Sequence, residues 1–178
     1  MPETNALASR FLGHRKLLAK WAALPRQGAC ANITDMDVRM LEGACFCGAV
    51  CYRVADVFSY AVNCHCSNCR RATGAAFKPI AGIARDHLTV TRGSDTIQRV
   101  HGPDGSWWSE HCQACGSLLY AVIENASFVH VAMGTLINAP SIVPTHHVFV
   151  GSKAPWFNIT DDLPQYEHAR PAYTRDIS

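Results

Sequence analysis

The cysteines of this chain lie almost entirely in three short clusters. Seven of the nine fall in Cys45/Cys47, Cys64/Cys66/Cys69 and Cys112/Cys115. Spacings of one or two residues bring neighbouring sulfurs to one metal ion, and zinc is the ion that such sets usually bind. Two pairs can complete a closed four-ligand site, whereas a triplet is one ligand short. A zinc that does chemistry keeps one position open for water or substrate, so the sequence predicts one closed site and one open site.

Each of the two cysteine pairs is followed directly by a glycine, Gly48 or Gly116. Glycine adopts positive φ angles without steric cost, so a tight turn can direct backbone N–H groups at the thiolates. The alternative is that these cysteines are small buried hydrophobes that bind nothing. Two pairs that each end in a glycine favour a structural zinc. Four thiolates would saturate that ion, so its role would be to hold the fold together.

The triplet Cys64-His65-Cys66-Ser67-Asn68-Cys69 needs a fourth ligand from elsewhere. His65 falls between two ligands in a sharp turn, so we expect a supporting or surface histidine there. Cys51 is expected in the core and Cys30 outside the main domain. The other cysteines and the histidines that remain as candidate ligands are Cys30, Cys51, His101, His111, His146 and His147.

The triplet also predicts a type of chemistry. Three thiolates leave a bound zinc with a net negative charge, which makes it a poor activator of water, and soft ligands favour a further sulfur. A small thiol at the open position would lose its proton and could attack an electrophilic carbonyl carbon. We therefore expect Cys64, Cys66 and Cys69 to form a catalytic centre that makes or breaks carbon–sulfur bonds.

Composition and charge limit the class of protein. The chain has 178 residues, of which 48% are hydrophobic and 17% charged, as is typical of one soluble globular domain. No apolar run approaches the roughly 18 residues of a membrane span. An odd cysteine count without a signal peptide predicts a reducing, cytoplasmic location. Residues 1–26 hold five basic residues and one acidic residue, a net charge of +4, which leaves −2 for the rest of a chain whose total is +2. A nucleic-acid partner is therefore not expected.

The hydrophobic pattern changes along the chain. Apolar residues from Leu7 to Trp21 recur at near-helical spacing before Pro25. This pattern predicts a short amphipathic helix over residues 6–24, within an N-terminal extension of residues 1–40.

From residue 41 onward, short β-branched and aromatic runs alternate with glycine, asparagine and proline. This pattern predicts a β domain over residues 41–166 and a C-terminal tail over residues 167–178. The predicted strands are residues 49–54, 60–64, 79–84, 88–92, 97–101, 107–110, 117–123, 128–133 and 146–151.

Four further motifs accompany the cysteine clusters. They are Arg70-Arg71-Ala72-Thr73-Gly74, Gly134-Thr135-Leu136, Pro144-Thr145-His146-His147 and Pro155-Trp156. In this order, and together with the clusters, they resemble the glutathione-dependent formaldehyde-activating enzyme and centromere protein V family over about residues 43–166. The chain is similar to the short bacterial-type branch, because it lacks the C-terminal elaboration of the longer formaldehyde-handling enzymes.

The resemblance implies a mainly β, zinc-containing β-tent (Mss4-like) fold. It implies that Cys45, Cys47, Cys112 and Cys115 bind a structural zinc and that the triplet binds a second one. The reference reaction of the family is the reversible addition of glutathione to formaldehyde, which gives S-hydroxymethylglutathione and is classified with the carbon–sulfur lyases. The implied cofactor is Zn²⁺ at two sites, and the implied partners are a small thiol such as glutathione and an aldehyde.

Residues that follow the triplet, or that the family pattern brings near it, are candidates for substrate contacts. Arg70 and Arg71 could pair with the carboxylates of an anionic thiol, or could offset the charge of the thiolates. His147, ahead of His146, is the candidate proton shuttle, because histidine exchanges protons near neutral pH. Three aromatic residues could wall an apolar pocket or pack in the core: Phe77, Trp108 and Trp156.

The sequence thus leads to one main hypothesis and two alternatives. The main hypothesis is a zinc-dependent carbon–sulfur lyase with glutathione or a similar thiol bound at the triplet. The first alternative is a non-catalytic zinc-binding interaction module, in which a partner completes the triplet. The second is thiol redox catalysis through Cys51.

Overall fold

The structure is a computed structural model that describes residues 38–123 and 125–169. The predicted helix over residues 6–24 lies outside this part, as do most of the N-terminal extension and most of the tail 167–178. Within the described residues, no helix is long and apolar enough to cross a membrane.

The described part of the chain is mainly β, as the sequence predicts. It holds one α-helix, α1, at Ser67–Thr73. Single 3-10 turns lie at Arg85–His87, Ser94–Thr96, Met133–Thr135 and Val150–Ser152. The strands are β1 (Met40–Ala44), β2 (Cys51–Ala55), β3 (Tyr60–Cys64), β4 (Lys78–Ala84), β5 (Leu88–Arg92), β6 (Ile97–His101), β7 (Trp108–Cys112), β8 (Leu118–Ile123), β9 (Phe128–Ala132) and β10 (His147–Val148).

The strands form two sheets. A three-stranded sheet has the order β1-β2-β5, and a seven-stranded sheet has the order β10-β3-β4-β9-β8-β7-β6. Among the described strands, β10 pairs with β3 in parallel and the other pairs are antiparallel. The register of the β3–β4 pair sets Cys64 opposite Lys78.

The main hydrophobic core lies between the two sheets. Leu41 and Val54 from the small sheet share one buried cluster with Ile83, Val122 and Val131 from the large sheet. Side chains alternate between the faces of a strand, so the large sheet has a second, outer face. A smaller apolar cluster of Val62, Cys64, Ile80 and Val148 lies on that outer face.

Two strands differ from the sequence prediction. β1 was not predicted, because its sequence Met-Leu-Glu-Gly-Ala is short and weakly patterned; Gly43 pairs with Tyr52, whose ring occupies the place of a side chain at Gly43. β10 has only two residues instead of residues 146–151. Phe149 takes a φ of 58°, which turns the chain out of the extended conformation and ends the strand.

Candidate metal centres and the adjoining cavity

The two cysteine pairs meet in space. Cys45 follows β1 and Cys112 ends β7, and the four sulfurs of Cys45, Cys47, Cys112 and Cys115 all lie within 4.8 Å of one another. The Sγ atoms of Cys45 and Cys47 are 3.6 Å apart, and those of Cys47 and Cys112 are 3.8 Å apart. A tetrahedral zinc with bonds of about 2.3 Å needs sulfurs about 3.8 Å apart. The cluster therefore has the dimensions of a four-thiolate zinc site and could hold the ion.

The turns that carry these pairs have the predicted backbone. Gly48 has a φ of 73° and Gly116 a φ of 76°. The amide of Val50 donates to Cys45 Sγ at 3.2 Å, and the Ser117 hydroxyl lies 3.2 Å from Cys115 Sγ. Although burial opposes it, the hydrogen bonds from Ser117 help to lower the pKa of Cys115 to about 6. These donors favour the thiolate, the form that binds a metal.

The triplet is built on the end of a strand and the start of a helix. Cys64 is the last residue of β3, Cys66 is the N-cap of α1, and Cys69 lies in the first turn of the helix. Their three sulfurs lie within 4.8 Å of one another. The Cys69 amide donates to Cys66 Sγ at 3.3 Å. A hydrogen bond from the Cys64 thiol, followed by others, lowers the pKa of Cys66 to about 2, so this group too favours the thiolate.

Helix α1 was not predicted, although its signals are present in the sequence. An N-cap side chain accepts a hydrogen bond from a backbone N–H in the first turn, and glycine ends many helices in the left-handed conformation. Cys66 takes the first role and Gly74, with a φ of 63°, takes the second. Serine, threonine, aspartate and asparagine are the residues usually read as N-caps, so a cysteine in that position was missed.

The candidate fourth ligands lie elsewhere. Among the described residues, no other cysteine sulfur, histidine nitrogen or carboxylate oxygen joins the triplet within 4.8 Å. Cys51 is buried at the start of β2 and lies 3.8 Å from the Gly48 carbonyl oxygen. His101 contacts Trp108 and His146 contacts Tyr166. Cys30 lies outside the described residues.

His65 is fully buried. Of the two roles predicted for it, a supporting or a surface histidine, the surface one is therefore wrong. Its Nε2 lies 2.7 Å from Nδ1 of His147, and Nε2 of His147 lies 3.0 Å from a carboxylate oxygen of Asp161. Phe77 and Phe157 pack against the His65 ring, with centroids 5.2 and 6.1 Å away. Three polar side chains thus run in a line from the middle of the triplet to the surface, where half of the Asp161 side chain is exposed.

Partners assign the hydrogen positions along this line. The carboxylate of Asp161 can only accept, so Nε2 of His147 donates to it. In the neutral form of His147, Nδ1 then accepts from Nε2 of His65. Burial, more than any charge, lowers the pKa of His65 to about 4, so its ring is neutral at pH 7. Within the described residues, the remaining Nδ1 of His65 has no hydrogen-bond partner.

A cavity of about 640 Å³ lies on the outer face of the large sheet. Cys64, Cys66 and Cys69 form part of its wall. Its polar lining includes Lys78, a hydrogen-bonded pair of Tyr60 and His130, and Ser109 with its Oγ 2.9 Å from Nε2 of His111. Most of the remaining wall is apolar and includes Val62, Ile80, Leu118, Ile123, Val148 and Phe149. The triplet therefore faces this cavity, whereas none of the four cysteines of the other cluster lines it.

Of the two arginines that follow Cys69, Arg71 lines the cavity and Arg70 turns away from it. Nε of Arg70 donates to the carbonyl oxygen of His65 at 3.3 Å. His147 also contacts His65 and lies behind the triplet, while its neighbour Val148 faces the cavity. Of the three predicted substrate contacts, Arg70 and His147 therefore contact the chain between the cysteines, and Arg71 lines the cavity.

The three predicted pocket aromatics lie outside the described lining of the cavity. Phe77 packs on His65. Trp108 packs against the main core and under the guanidinium of Arg99, 4.6 Å from the ring centroid. Trp156 is 71% exposed. A tryptophan that was not singled out, Trp107, lines the cavity.

Comparisons with known proteins point to one family. The family model described as glutathione-dependent formaldehyde-activating enzyme matches residues 40–152. A curated Halomonas elongata protein with the provisional name of glutathione-dependent formaldehyde-activating enzyme is 50% identical over 86 residues, which are 46% of this chain and 55% of that protein. The match thus spans about half the length of the curated relative.

A solved structure was also found, the crystal structure of a Rhodobacter sphaeroides protein from a structural genomics programme. It is 25% identical and superposes with a TM-score of 0.48 over 56% of this chain and 91% of that chain.

Proposed function

Since this chain belongs to the glutathione-dependent formaldehyde-activating enzyme family, we propose that it catalyses the reversible addition of glutathione, or a similar thiol, to a small aldehyde such as formaldehyde. This is a carbon–sulfur lyase reaction that uses zinc at the triplet. The observation that carries the proposal is the position of the three sulfurs in the wall of a cavity of about 640 Å³. A metal held there faces space that a substrate can enter.

The two clusters have different proposed roles. Cys45, Cys47, Cys112 and Cys115 offer four thiolates at tetrahedral separations, so we propose that they hold a structural zinc. Cys64, Cys66 and Cys69 offer three, and the fourth position of a second zinc would open to the cavity. When bound at the triplet, zinc lowers the pKa of an added thiol and makes its thiolate available near neutral pH.

The side chains around the triplet have roles of their own. Cys66 is fixed by the amide of Cys69, which holds the triplet on the helix start. Arg70 and His147 both contact His65, so we propose that they position the loop instead of touching substrate. Lys78 lies opposite Cys64 on the neighbouring strand and is 6% exposed. Its ammonium offsets the negative charge of the thiolates.

In the proposed reaction the thiol sulfur donates an electron pair to the aldehyde carbon. One carbon–sulfur bond forms, the carbon–oxygen π bond breaks, and its electrons move to oxygen. The oxygen then takes up a proton, which balances the proton that the thiol released, and the reverse steps release thiol and aldehyde. No group is oxidised or reduced. We propose a reducing, cytoplasmic setting, in which the thiols stay free, with small molecules as the partners and no nucleic acid.

The test combines native mass spectrometry with a rate measurement. We expect the full chain to carry two zinc ions and to retain glutathione as an adduct. We also expect it to accelerate exchange between formaldehyde and S-hydroxymethylglutathione in two-dimensional NMR exchange spectra. Two zinc ions with neither adduct nor acceleration would support the non-catalytic zinc module instead.

A matched variant separates the redox alternative. Cys51 lies outside both clusters and does not line the cavity. Cys51→Ser is therefore expected to keep the exchange rate within about twofold of the wild type, a change of about 0.4 kcal/mol in the activation free energy. A loss of activity in Cys51→Ser, at an unchanged zinc content and an unchanged unfolding midpoint, would favour thiol redox catalysis.

A further inference from the structure

The cavity is longer than formaldehyde requires. The triplet lines it from β3, while Ser109 and His111 line it from β7, four strand spacings away. At about 4.8 Å per spacing this is a distance of about 19 Å. The volume of about 640 Å³ lies within the range of roughly 300–1,000 Å³ found for sites of small organic ligands.

The wall beyond the cysteines is mainly hydrocarbon. Ile80 on β4, Leu118 and Ile123 on β8, and Val100 on β6 all line it. A register shift between Glu110 and His111 in the β7–β8 pair marks an irregularity beside Leu118. The hydroxyl of Tyr60 and the ring of His130 are hydrogen-bonded to each other, so this contact can be kept when an apolar ligand is bound. Such a surface favours the removal of apolar atoms from water.

The charged groups in the wall suit only part of a glutathione molecule. Arg71 and Lys78 are cations, and among the described lining residues there is no aspartate or glutamate. The ammonium of glutathione would therefore be buried without a carboxylate partner, which is costly. The exposed Arg71 is placed to pair with a glutathione carboxylate at the rim. The interior is better suited to an uncharged reactant.

We propose that the aldehyde partner carries an apolar body of several carbons, which lies along this cavity between the triplet and Leu118. The inference rests on the proposed function and names the substrate class of that same site. The carbonyl carbon faces the triplet, where the sulfur of the thiol adds to it, and the hydrocarbon extends over Ile80 and Leu118. Formaldehyde alone would leave this wall without contacts.

Lys78 gives the aldehyde its direction. It is nearly buried, faces the cavity and lies opposite Cys64, and its charge acts on Cys69. As the sulfur adds and the π electrons move to oxygen, the oxygen gains negative charge, and Lys78 supplies a hydrogen-bond donor for it. The proton released by the thiol ends on this oxygen by way of solvent, and the product is the hemithioacetal.

The first test measures binding without turnover. Primary alcohols are unreactive stand-ins for aldehydes of the same length, and calorimetry with 1-butanol, 1-hexanol and 1-octanol on the zinc-loaded full chain follows their affinity. We expect the affinity to rise about fourfold per added methylene group, as apolar burial predicts. In Leu118→Trp, which fills the cavity about three strand spacings from Cys64, the rise from hexanol to octanol should disappear. The exposed position Ile137 supplies a matched control, Ile137→Trp, that should behave as the wild type.

The second test compares hexanal with formaldehyde in the glutathione exchange measurement. We expect Leu118→Trp to shift the preference at least tenfold toward formaldehyde. Ile80→Phe fills the same wall with a smaller change and replaces Leu118→Trp if that variant does not fold. Turnover of formaldehyde without binding or turnover of longer chains would overturn the inference and leave the proposed function intact. If alcohol affinity depended on chain length but no aldehyde were turned over, the proposed lyase activity would be wrong and the apolar ligand site would stand.

Discussion

Nε2 of His65 lies 2.7 Å from Nδ1 of His147, and this contact connects the chain between two metal-cluster cysteines to β10. Both rings are buried, and their hydrogen bonds continue to Asp161 at the surface. Groups that orient ligands from behind affect metal affinity strongly, with losses of about 10–100-fold on removal. Loss of the His65–His147 contact is therefore expected to lower the metal affinity of the triplet, although neither ring faces the cavity.

Replacing His147 tests this role. His147→Phe keeps a ring of similar shape but leaves the N–H of the buried His65 without an acceptor, at a cost of about 1–3 kcal/mol in the free energy of unfolding. We also expect zinc affinity at the triplet to fall about tenfold or more, which chelator competition measures. Asp161→Asn, at a half-exposed position, should have a clearly smaller effect on both quantities. Equal effects of the two substitutions would contradict a positioning role for His147.

The two cysteine clusters should differ in what they contribute to stability. Cys115→Ser breaks a cluster that joins the turn after β1 to the turn between β7 and β8, so we expect a loss of about 3 kcal/mol or more, because metal binding there is coupled to folding. Cys66→Ser should lose one zinc ion and keep the fold. Zinc content by mass spectrometry and denaturant unfolding measure both effects. Collapse of both variants to the same extent would remove the distinction between the sites.

The turn at Gly116 gives a test of backbone strain. Gly116 has a φ of 76°, and a Cβ there would meet no atom within 4 Å, so Gly116→Ala isolates the conformational cost. We expect a destabilisation of about 1–2 kcal/mol in chemical denaturation. Gly134→Ala is the control, because Gly134 does not have a positive φ and a Cβ there would also meet no atom within 4 Å. It should change the free energy of unfolding by no more than about 0.5 kcal/mol.

Lys78 should influence rate and stability in opposite directions. Lys78→Met removes a nearly buried cation, so the metal-free protein should be as stable as the wild type or more stable. The rate of glutathione addition should fall about a hundredfold, since a donor to the developing oxygen charge is lost. Lys78→Arg keeps the charge and should recover part of the rate. If Lys78→Arg recovered none of the rate lost in Lys78→Met, the loss would come from altered packing and not from the missing charge.

Stability should depend on pH through His130. Burial, and then the charge of nearby Lys78, lower the pKa of His130 to about 4. In the unfolded chain His130 takes up a proton near pH 6.5, whereas in the folded chain it does so only near pH 4. The free energy of unfolding is therefore at its full value above about pH 6.5 and falls as the pH drops toward 4, by at most about 3 kcal/mol. His130→Gln keeps a hydrogen-bonding group for Tyr60 and does not titrate. It should reduce the slope of unfolding free energy against pH in this window and leave the part that comes from His65, whose pKa burial also lowers to about 4.

Cysteine spacing predicted the metal clusters well because it is a local constraint. The structure groups the same seven cysteines into one set of four and one of three, and Gly48 and Gly116 have the predicted positive φ. The strands with dense β-branched residues were also found within a few residues. β1 was missed because the pairing of Gly43 with Tyr52 supplies the packing that its own sequence lacks.

The surroundings of the triplet were less accessible to sequence reasoning because they depend on contacts between distant segments. His65 and His147 are separated by 82 positions in sequence, and nothing in the local pattern indicates that they touch. Lys78 was not singled out, since a lone lysine is ordinarily a surface residue; only its place opposite Cys64 gives it a role. The choice between Arg70 and Arg71 depends on how α1 is oriented, and that helix was not predicted.

The alternation of side chains along β4 separates two properties of the protein. Ile83 packs in the core between the sheets, while Ile80, three positions earlier on the same strand, faces the cavity. Substitutions at inner-face positions such as Ile83 are expected to change mainly the free energy of unfolding. Substitutions at outer-face positions such as Ile80 are expected to change which molecule fits beside the triplet. A library confined to the outer-face positions is therefore expected to change the proposed substrate preference and to leave the core between the sheets unaltered.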